Sequence, residues 1–291
     1  MTNVVARRHL EIGITPYWMT GNKQVWKEVM NLFDTDILLK DVGNSHFTGV
    51  VSENWSVNGT PNGGYLMAMI ASAMLRKSDK KETPTVTANY IARCVPGEAE
   101  IQISEIARSR QFTRFEARLL QEGKEKIRAL GTFVSEKNDC AVQRYETKAP
   151  ELLPIGECVQ MPTLPKYTLF HNLDLRLDPA CAGWMTGKLT DVSQNKGYFR
   201  FTDGRPVDLL SLFLIIDAMP PAALATQGMT AWVPTIELSV NVRNLPRTDR
   251  LKCSLRTRFI TCGLLEADGE VWDEEGNLGA ISRQIAQFRK E

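Results

Sequence analysis

Histidine is scarce: the chain has only His9, His46 and His171. Its six cysteines, Cys94, Cys140, Cys158, Cys181, Cys253 and Cys262, form no CxxC pair. Zinc sites draw on clustered thiolates and imidazoles, so none is expected, and the cysteines read as small core residues. No apolar run approaches the ~20 residues that span a bilayer, and no basic-then-apolar leader opens the sequence. The expected setting is cytoplasmic and reducing, away from membranes. Nor is one sign of charge in excess, with 35 Lys and Arg against 34 Asp and Glu. A nucleic-acid partner would need a basic field that this balance does not supply.

What is present is a core-forming chain of 291 residues, 43% hydrophobic, enough for one large or two ordinary domains. It also repeats itself. "TVTANYIARCVP" from Thr85 and "TIELSVNVRNLP" from Thr235 share Thr, Arg and Pro at the first, ninth and last places, 150 residues apart. The same offset matches Ser104 with Ser254, Arg108 with Arg258 and Glu116 with Glu266. A helix pattern precedes each copy. "NGGYLMAMIASAMLRK" starts at Asn62, a suitable N-cap. "RPVDLLSLFLIIDAM" starts at Arg205, with Pro206 in the first turn, Asp208 at the positive end and Pro220–Pro221 as the stop.

Strand patterns follow each copy, over 98–108, 111–121 and 124–135, then 249–260, 262–273 and 278–289. Earlier strands are expected in "TGVVSENWSV", "GWMTGKLTDV" and "GYFRFTD". Each half is thus an α+β unit with one helix held against an antiparallel sheet. Residues 138–171, with four prolines, read as a linker. The first 29 residues fit neither unit. They are either an extension packing on the domain or a segment ahead of a start at Met30.

Within the second helix pattern, "SLFLIIDAMPPAAL" sets Asp217 in an apolar run. An unpaired buried carboxylate costs several kcal/mol, so it needs partners or a task. Leu210, Phe213 and Leu214 precede it at helical spacing, which predicts that Asp217 projects from the apolar face toward the sheet. Burial there would raise its pKa. Gln284 alternates with Ala280, Ser282, Ala286 and Phe288 on one strand face, and Thr235 opens a strand after Pro234. Taken singly, plainer readings lead for each: a cap, a β-branched strand residue, an ordinary strand amide.

Two tandem units of this kind resemble the double-hotdog acyl-CoA thioesterases, the group containing bacterial acyl-CoA thioesterase II. The resemblance covers about residues 35–291 and rests on "NGGYLMAMIASAML", the run "NYIARCVPGEAEIQISEIARSRQFTRFEARLLQEGKEKIRALGTF", "LIIDAMPPAAL", "VPTIELSV" and "AISRQIAQFR". It implies a tandem hotdog fold, with residues 1–34 an N-terminal extension, 35–137 the first hotdog, 138–171 the linker and 172–291 the second. It also implies hydrolysis of an acyl thioester by an Asp, a Thr and a Gln that activate water, which fall on Asp217, Thr235 and Gln284. Glu237 and Leu238 depart from the family's Asp-His pair after Thr-Ile.

Further expectations follow from the same resemblance. No cofactor is implied beyond the CoA of the substrate, no metal is implied, and the family's habit of pairing double hotdogs suggests a homodimer or higher homo-oligomer. Gly63 and Gly64 at the helix start read either as oxyanion donors or as a close helix–sheet contact. Arg108, Arg110 and Arg114 read either as a solvated basic edge or as contacts for CoA phosphates. Met67, Met69, Met74 and Met219 read as core filler or as an acyl tunnel wall. In the first half, Ser72, Thr85 and Leu130 or Gly131 take the places of Asp217, Thr235 and Gln284, so one working site per chain is expected. The rival function is a non-catalytic acyl-thioester-binding protein. A hydratase or dehydratase would need a histidine in a matching helix or strand, and there is none.

Overall fold

The structure, a computed structural model, describes residues 30–135 and 142–290. The expectation for residues 1–29 lies outside these. Thirteen strands run through one antiparallel sheet. In the first half they are β1 (Lys40–Gly43), β2 (His46–Val51), β3 (Glu82–Tyr90), β4 (Gly97–Arg108), β5 (Phe112–Gln121) and β6 (Lys124–Val134). After it come β7 (Val159–Gln160), β8 (Leu173–Leu177), β9 (Gln194–Phe201), β10 (Thr235–Val242), β11 (Leu251–Arg256), β12 (Leu264–Asp273) and β13 (Leu278–Gln287). Their order across the sheet is β1-β2-β4-β5-β6-β3-β10-β13-β12-β11-β9-β8-β7, with Ile260–Thr261 paired beside β12.

The halves meet where β3 pairs with β10, and the register there explains the sequence repeat. Ala88 pairs with Leu238, its own counterpart at the 150-residue offset, with Thr87–Ser239 and Asn89–Glu237 on either side. A local two-fold axis therefore passes through the Ala88–Leu238 pair. Thr87 and Ser239 add a hydroxyl–hydroxyl hydrogen bond of 2.9 Å beside it.

Two helices lie on the inner face of this sheet: α1 (Gly63–Lys77) and α2 (Leu209–Ile216). Every residue of α1 from Gly64 to Met74 is buried. A helix that is apolar all round needs cover on all sides, and here the sheet gives one side and α2 the other. Asn62 caps α1 as expected, its Oδ1 accepting from the Tyr65 N–H at 2.9 Å. The second helix differs from the sequence reading. It begins at Leu209, not near Pro206, because Asp208 is its N-cap in a reciprocal box with Ser211.

Two strand expectations also change. "GWMTGKLTDV" folds as a short 3₁₀ turn over Gly183–Thr186, ended by Gly187 at φ 76°. Its cause is upstream: Asp178 caps the turn Pro179–Ala182, and Lys188 N–H closes back on the Gly183 carbonyl at 2.9 Å. Strand β8 takes its place in the sheet. In "TGVVSENWSV" the strand stops at Val51, and Glu53–Trp55 turns over so that Trp55 enters the core. Ahead of β1, Leu32–Asp36 forms one helical turn that inserts Phe33, edge-on to Trp55 at 5.3 Å. Asp36 accepts the Trp55 indole N–H at 2.8 Å. Among the described residues no helix is long and apolar enough to cross a membrane.

The two helices can touch only because Gly64 has no side chain. A methyl group there would overlap the Phe213 carbonyl oxygen and lie 2.8 Å from the Asp217 Cβ and 3.1 Å from the Leu214 Cα. All three obstacles are backbone or its root, so they cannot swing aside. Gly64→Ala is expected to cost about 1–3 kcal/mol or more in chemical denaturation, whereas Gly59→Ala, where nothing lies within 4 Å but φ is +70°, should cost only about 1 kcal/mol from its left-handed backbone.

Candidate active site

Helix α2 ends at Ile216, and Asp217 is its C-cap at φ −106°, ψ 2°. The carboxylate thus leaves from the helix end, not from its apolar flank as the spacing suggested. Its own helix presents a partly negative terminus here, which is the wrong end for an anion. The compensation comes from the other half. Asp217 Oδ2 accepts from the Gly64 N–H at 2.9 Å and from Asn62 Nδ2 at 3.1 Å, so it sits on the positive N-terminus of α1. Asn62 Nδ2 also donates to the Asp217 carbonyl oxygen at 2.9 Å. The turn after Asp217 is pinned from β9, where buried Asn195 donates to the Pro220 carbonyl at 2.9 Å.

Two further groups close the site. Gln284 on β13 donates through Nε2 to Asp217 Oδ1 at 2.9 Å and to Thr235 Oγ1 at 2.6 Å. An ionised carboxylate only accepts, which fixes the amide with its nitrogen toward Asp217. Both amide hydrogens are then used, and the Gln284 oxygen remains free to accept. The Thr235 oxygen is taken as an acceptor, so its own hydrogen points elsewhere.

Thr235 reaches this face through a β-bulge. Thr235 pairs with Ala286 and Glu237 with Ile285, leaving Ile236 as the extra residue. Counting back by twos from buried Leu238 and Val240 would have given the inner face to Ile236. The bulge re-aims the strand so that Thr235 has it instead. Gln284 lies on the buried face with Ala280, Ser282 and Ala286, as its alternation predicts.

Loss of water pushes the Asp217 carboxyl up to about 6, against the N–H groups of Gly64 and Gly63 and the Asn62 and Gln284 amides, which pull it down. Tyr90 stands alongside. Its hydroxyl donates to the Gly63 carbonyl at 2.7 Å, and burial together with the nearby Asp217 charge raises its pKa well above normal. Sequence reading found Asp217, Thr235 and Gln284, and saw Asn62 only as a cap. It missed Tyr90 and the bulge. No local pattern links residue 62 or 90 to residue 217.

Other candidates stand elsewhere. The N–H of Gly64 is occupied by Asp217. Arg108 is paired with Asp79 at 2.9 Å and Glu105 at 2.6 Å, beyond the C-terminal end of α1. Thirteen residues of helix separate Gly64 from Lys77, or about 20 Å, so Arg108 and its neighbours Arg110 and Arg114 are not part of the carboxylate cluster. Arg114 lies over the Phe112 ring at 5.1 Å. Met67, Met69 and Met74 are fully buried in the core, with Met219 nearly so. Among the described residues no group of three His, Cys, Asp or Glu could hold a metal ion.

The first half keeps the scaffold of this arrangement without its chemistry. Where Leu238 pairs with Gln284, its counterpart Ala88 pairs with Ala129. The place of the glutamine therefore belongs to Ala129, not to Leu130, which is 55% exposed, or to Gly131. Ser72, aligned with Asp217 by sequence, is buried inside α1, which runs on to Lys77, whereas Asp217 caps the end of α2. Thr85 accepts from the Asn241 side-chain amide across the junction.

Profiles of two protein domains match the chain: the acyl-CoA thioesterase N-terminal domain over residues 51–134 and the acyl-CoA thioesterase C-terminal domain over 155–288. A search of curated protein sequences returns no match. Among solved structures, a candidate thioesterase II from Thermobifida fusca YX superposes with a TM-score of 0.82 at 24% identity, over 90% of this chain and 99% of that one. A conserved protein of unknown function with a hot dog fold from Alicyclobacillus acidocaldarius gives 0.80 at 19% identity, over 90% of this chain and 100% of that one. The acyl-CoA thioesterase II TesB2 of Mycobacterium marinum gives 0.72 at 15% identity, over 89% of this chain and 98% of that one. The fold is a tandem hotdog, as expected.

A carboxyl group whose pKa is higher folded than unfolded binds its proton more tightly in the native state. Asp217, raised to about 6 from 3.8, therefore weakens the fold above pH 6, and the penalty vanishes below about pH 4. Asp217→Asn removes it. The stability difference, variant minus wild type, should grow by about 2–3 kcal/mol between pH 4 and pH 8, read from urea denaturation at each pH.

Proposed function

The chain belongs to the acyl-CoA thioesterase family and is a thioester hydrolase; from that premise, we propose that Asp217, Thr235 and Gln284 carry out the hydrolysis of an acyl-CoA to free acid and CoA. What supports the reading is the single amide of Gln284, bonded at once to Asp217 at 2.9 Å and to Thr235 at 2.6 Å. Three residues far apart in sequence form one hydrogen-bonded set around an acid poised near neutral pH.

In this reading a water sits against the set. It gives one hydrogen toward Asp217 and the other toward the free Gln284 oxygen, and it accepts the Thr235 hydroxyl hydrogen. Its remaining lone pair is aimed at the thioester carbon, which saves orientational entropy. Asp217 takes a proton as the C–O bond forms, and the thioester oxygen becomes an oxyanion. The C–S bond then breaks as the carbonyl reforms, and the proton on Asp217 passes to the departing CoA sulfur. Water is consumed, acid and thiol are released, and no redox or metal cofactor enters the balance.

The positive end of α1 serves both charges in turn. While Asp217 is ionised, the N–H groups of Gly63 and Gly64 hold it. As it takes the proton, negative charge moves to the thioester oxygen alongside, and the same donors turn to stabilise that oxygen. The family resemblance also implies a homo-oligomer, which light scattering of the purified chain would test.

Thiol release from acyl-CoAs of graded chain length tests the assignment. Activity is expected to rise through an apparent pKa near 6 as Asp217 ionises. Asp217→Asn should lower kcat by ~10²–10⁴-fold, with Gln284→Ala and Thr235→Val each losing at least about tenfold. Acyl-CoA binding with no release above background, alike in wild type and Asp217→Asn, would instead make the chain a binding protein.

A further inference from the structure

The geometry points to Asn62 as a positioning residue for the reaction, one side chain that caps helix α1 and holds the Asp217 base in place across the junction of the halves. This rests on the assignment of Asp217 as the base. The observation is that both ends of the Asn62 amide are directed to these two tasks. Its Oδ1 accepts from the Tyr65 N–H at 2.9 Å, while its Nδ2 donates to the Asp217 carbonyl at 2.9 Å and to Asp217 Oδ2 at 3.1 Å. The backbone on either side is fixed as well. Asn62 N–H donates to the Trp55 carbonyl at 2.8 Å, and the next carbonyl, of Gly63, takes the Tyr90 hydroxyl at 2.7 Å.

A serine, threonine or aspartate would cap α1 about equally well. Only an amide at this length offers one atom to accept from the helix and a second to donate to Asp217; a hydroxyl has a single, nearer oxygen, and a carboxylate has no donor. The backbone contact sets where Asp217 leaves α2. The carboxylate contact keeps Oδ2 on the helix end, which leaves Oδ1 to face Gln284. Together with the Gly64 N–H, Asn62 thus sets which carboxylate oxygen meets which partner.

The ionisable groups around Asp217 are few, so the effect of Asn62 can be isolated. From β3 the Tyr90 hydroxyl faces it, with Cys94 beyond and raised by burial to about 12. The first turn of α1 has no acidic residue, and α2 carries its only charged neighbour, Asp208, at the far end. On β10 and β13, Glu237 and Arg283 alternate with inward-facing Leu238 and Gln284. Arg283 is paired with Asp268 at 2.8 Å on the outer face.

The test compares Asn62→Ser and Asn62→Asp with wild type. Both keep a helix cap, and both lose the Nδ2 donor to Asp217: an ionised aspartate only accepts, and a serine hydroxyl stops one bond short of the Nδ2 position. Removing a donor from the charged form moves the acid limb of kcat/KM upward, by about one pH unit in Asn62→Ser. Asn62→Asp adds a like charge beside Asp217, and its limb should move further, by about two units. Thermal midpoints should stay within a few degrees. A ¹³C NMR titration of the Asp217 carboxyl carbon should show the same order without relying on activity. If the limb and the titration stay in place while activity falls uniformly with pH, Asn62 is only a cap and the inference is overturned. If Asp217 titrates as described but Asp217→Asn retains full activity, the assignment of the base fails instead, and with it the positioning role.

Discussion

A carboxylate at the end of one helix rests on the start of another. The free energy of Asp217 is set by that contact, because its own helix terminus repels it and its surroundings strip away water. The N-terminus of α1 supplies dipole, backbone donors and the Asn62 amide in one place. Without them a half-buried acid would protonate or drive the helices apart. With them it remains ionisable near neutral pH, which suits a group that must take and return a proton.

That contact in turn requires two helices to approach at Gly64, and a sheet that holds them there. The Ala88–Leu238 pairing provides the frame, since the edge strand of each half pairs with the edge strand of the other. The acid, the hydroxyl and the amide all come from the second half, whereas the positive helix end comes from the first. Neither half alone contains a complete site. The hydrogen-bonded set around Asp217 therefore needs both halves, joined in one sheet.

The first half shares the scaffold but not the side chains of the set around Asp217. Ala129 stands at the register position of Gln284. At the corresponding end of α2, Asp208 and Asp34 share the buried Arg205 guanidinium, at 2.7 and 2.6 Å. Ion pairs and capping stand there in place of the Asp217–Thr235–Gln284 set. Such a pair fixes the position of the Leu32–Asp36 turn against α2 but leaves no ionisable group idle.

By itself the sequence determined what depends on near neighbours and on period. The cap at Asn62, the strand alternation that turns Gln284 inward, the 150-residue repeat and the apolar run around Asp217 all follow from local patterns. The resemblance to thioesterases then joined three residues into a set. Tertiary structure alone decided where those patterns stop and what they face. Asp208 moved the start of α2 to Leu209 through a reciprocal cap, the helix stopped at Ile216 so that Asp217 stands at its end, and a bulge at Ile236 changed the parity that would have turned Thr235 outward. Asn62 and Tyr90 entered the site from 155 and 127 residues away. A hydrogen bond acts over about 3 Å of space and carries no record of chain separation, so only the folded chain could reveal those partners.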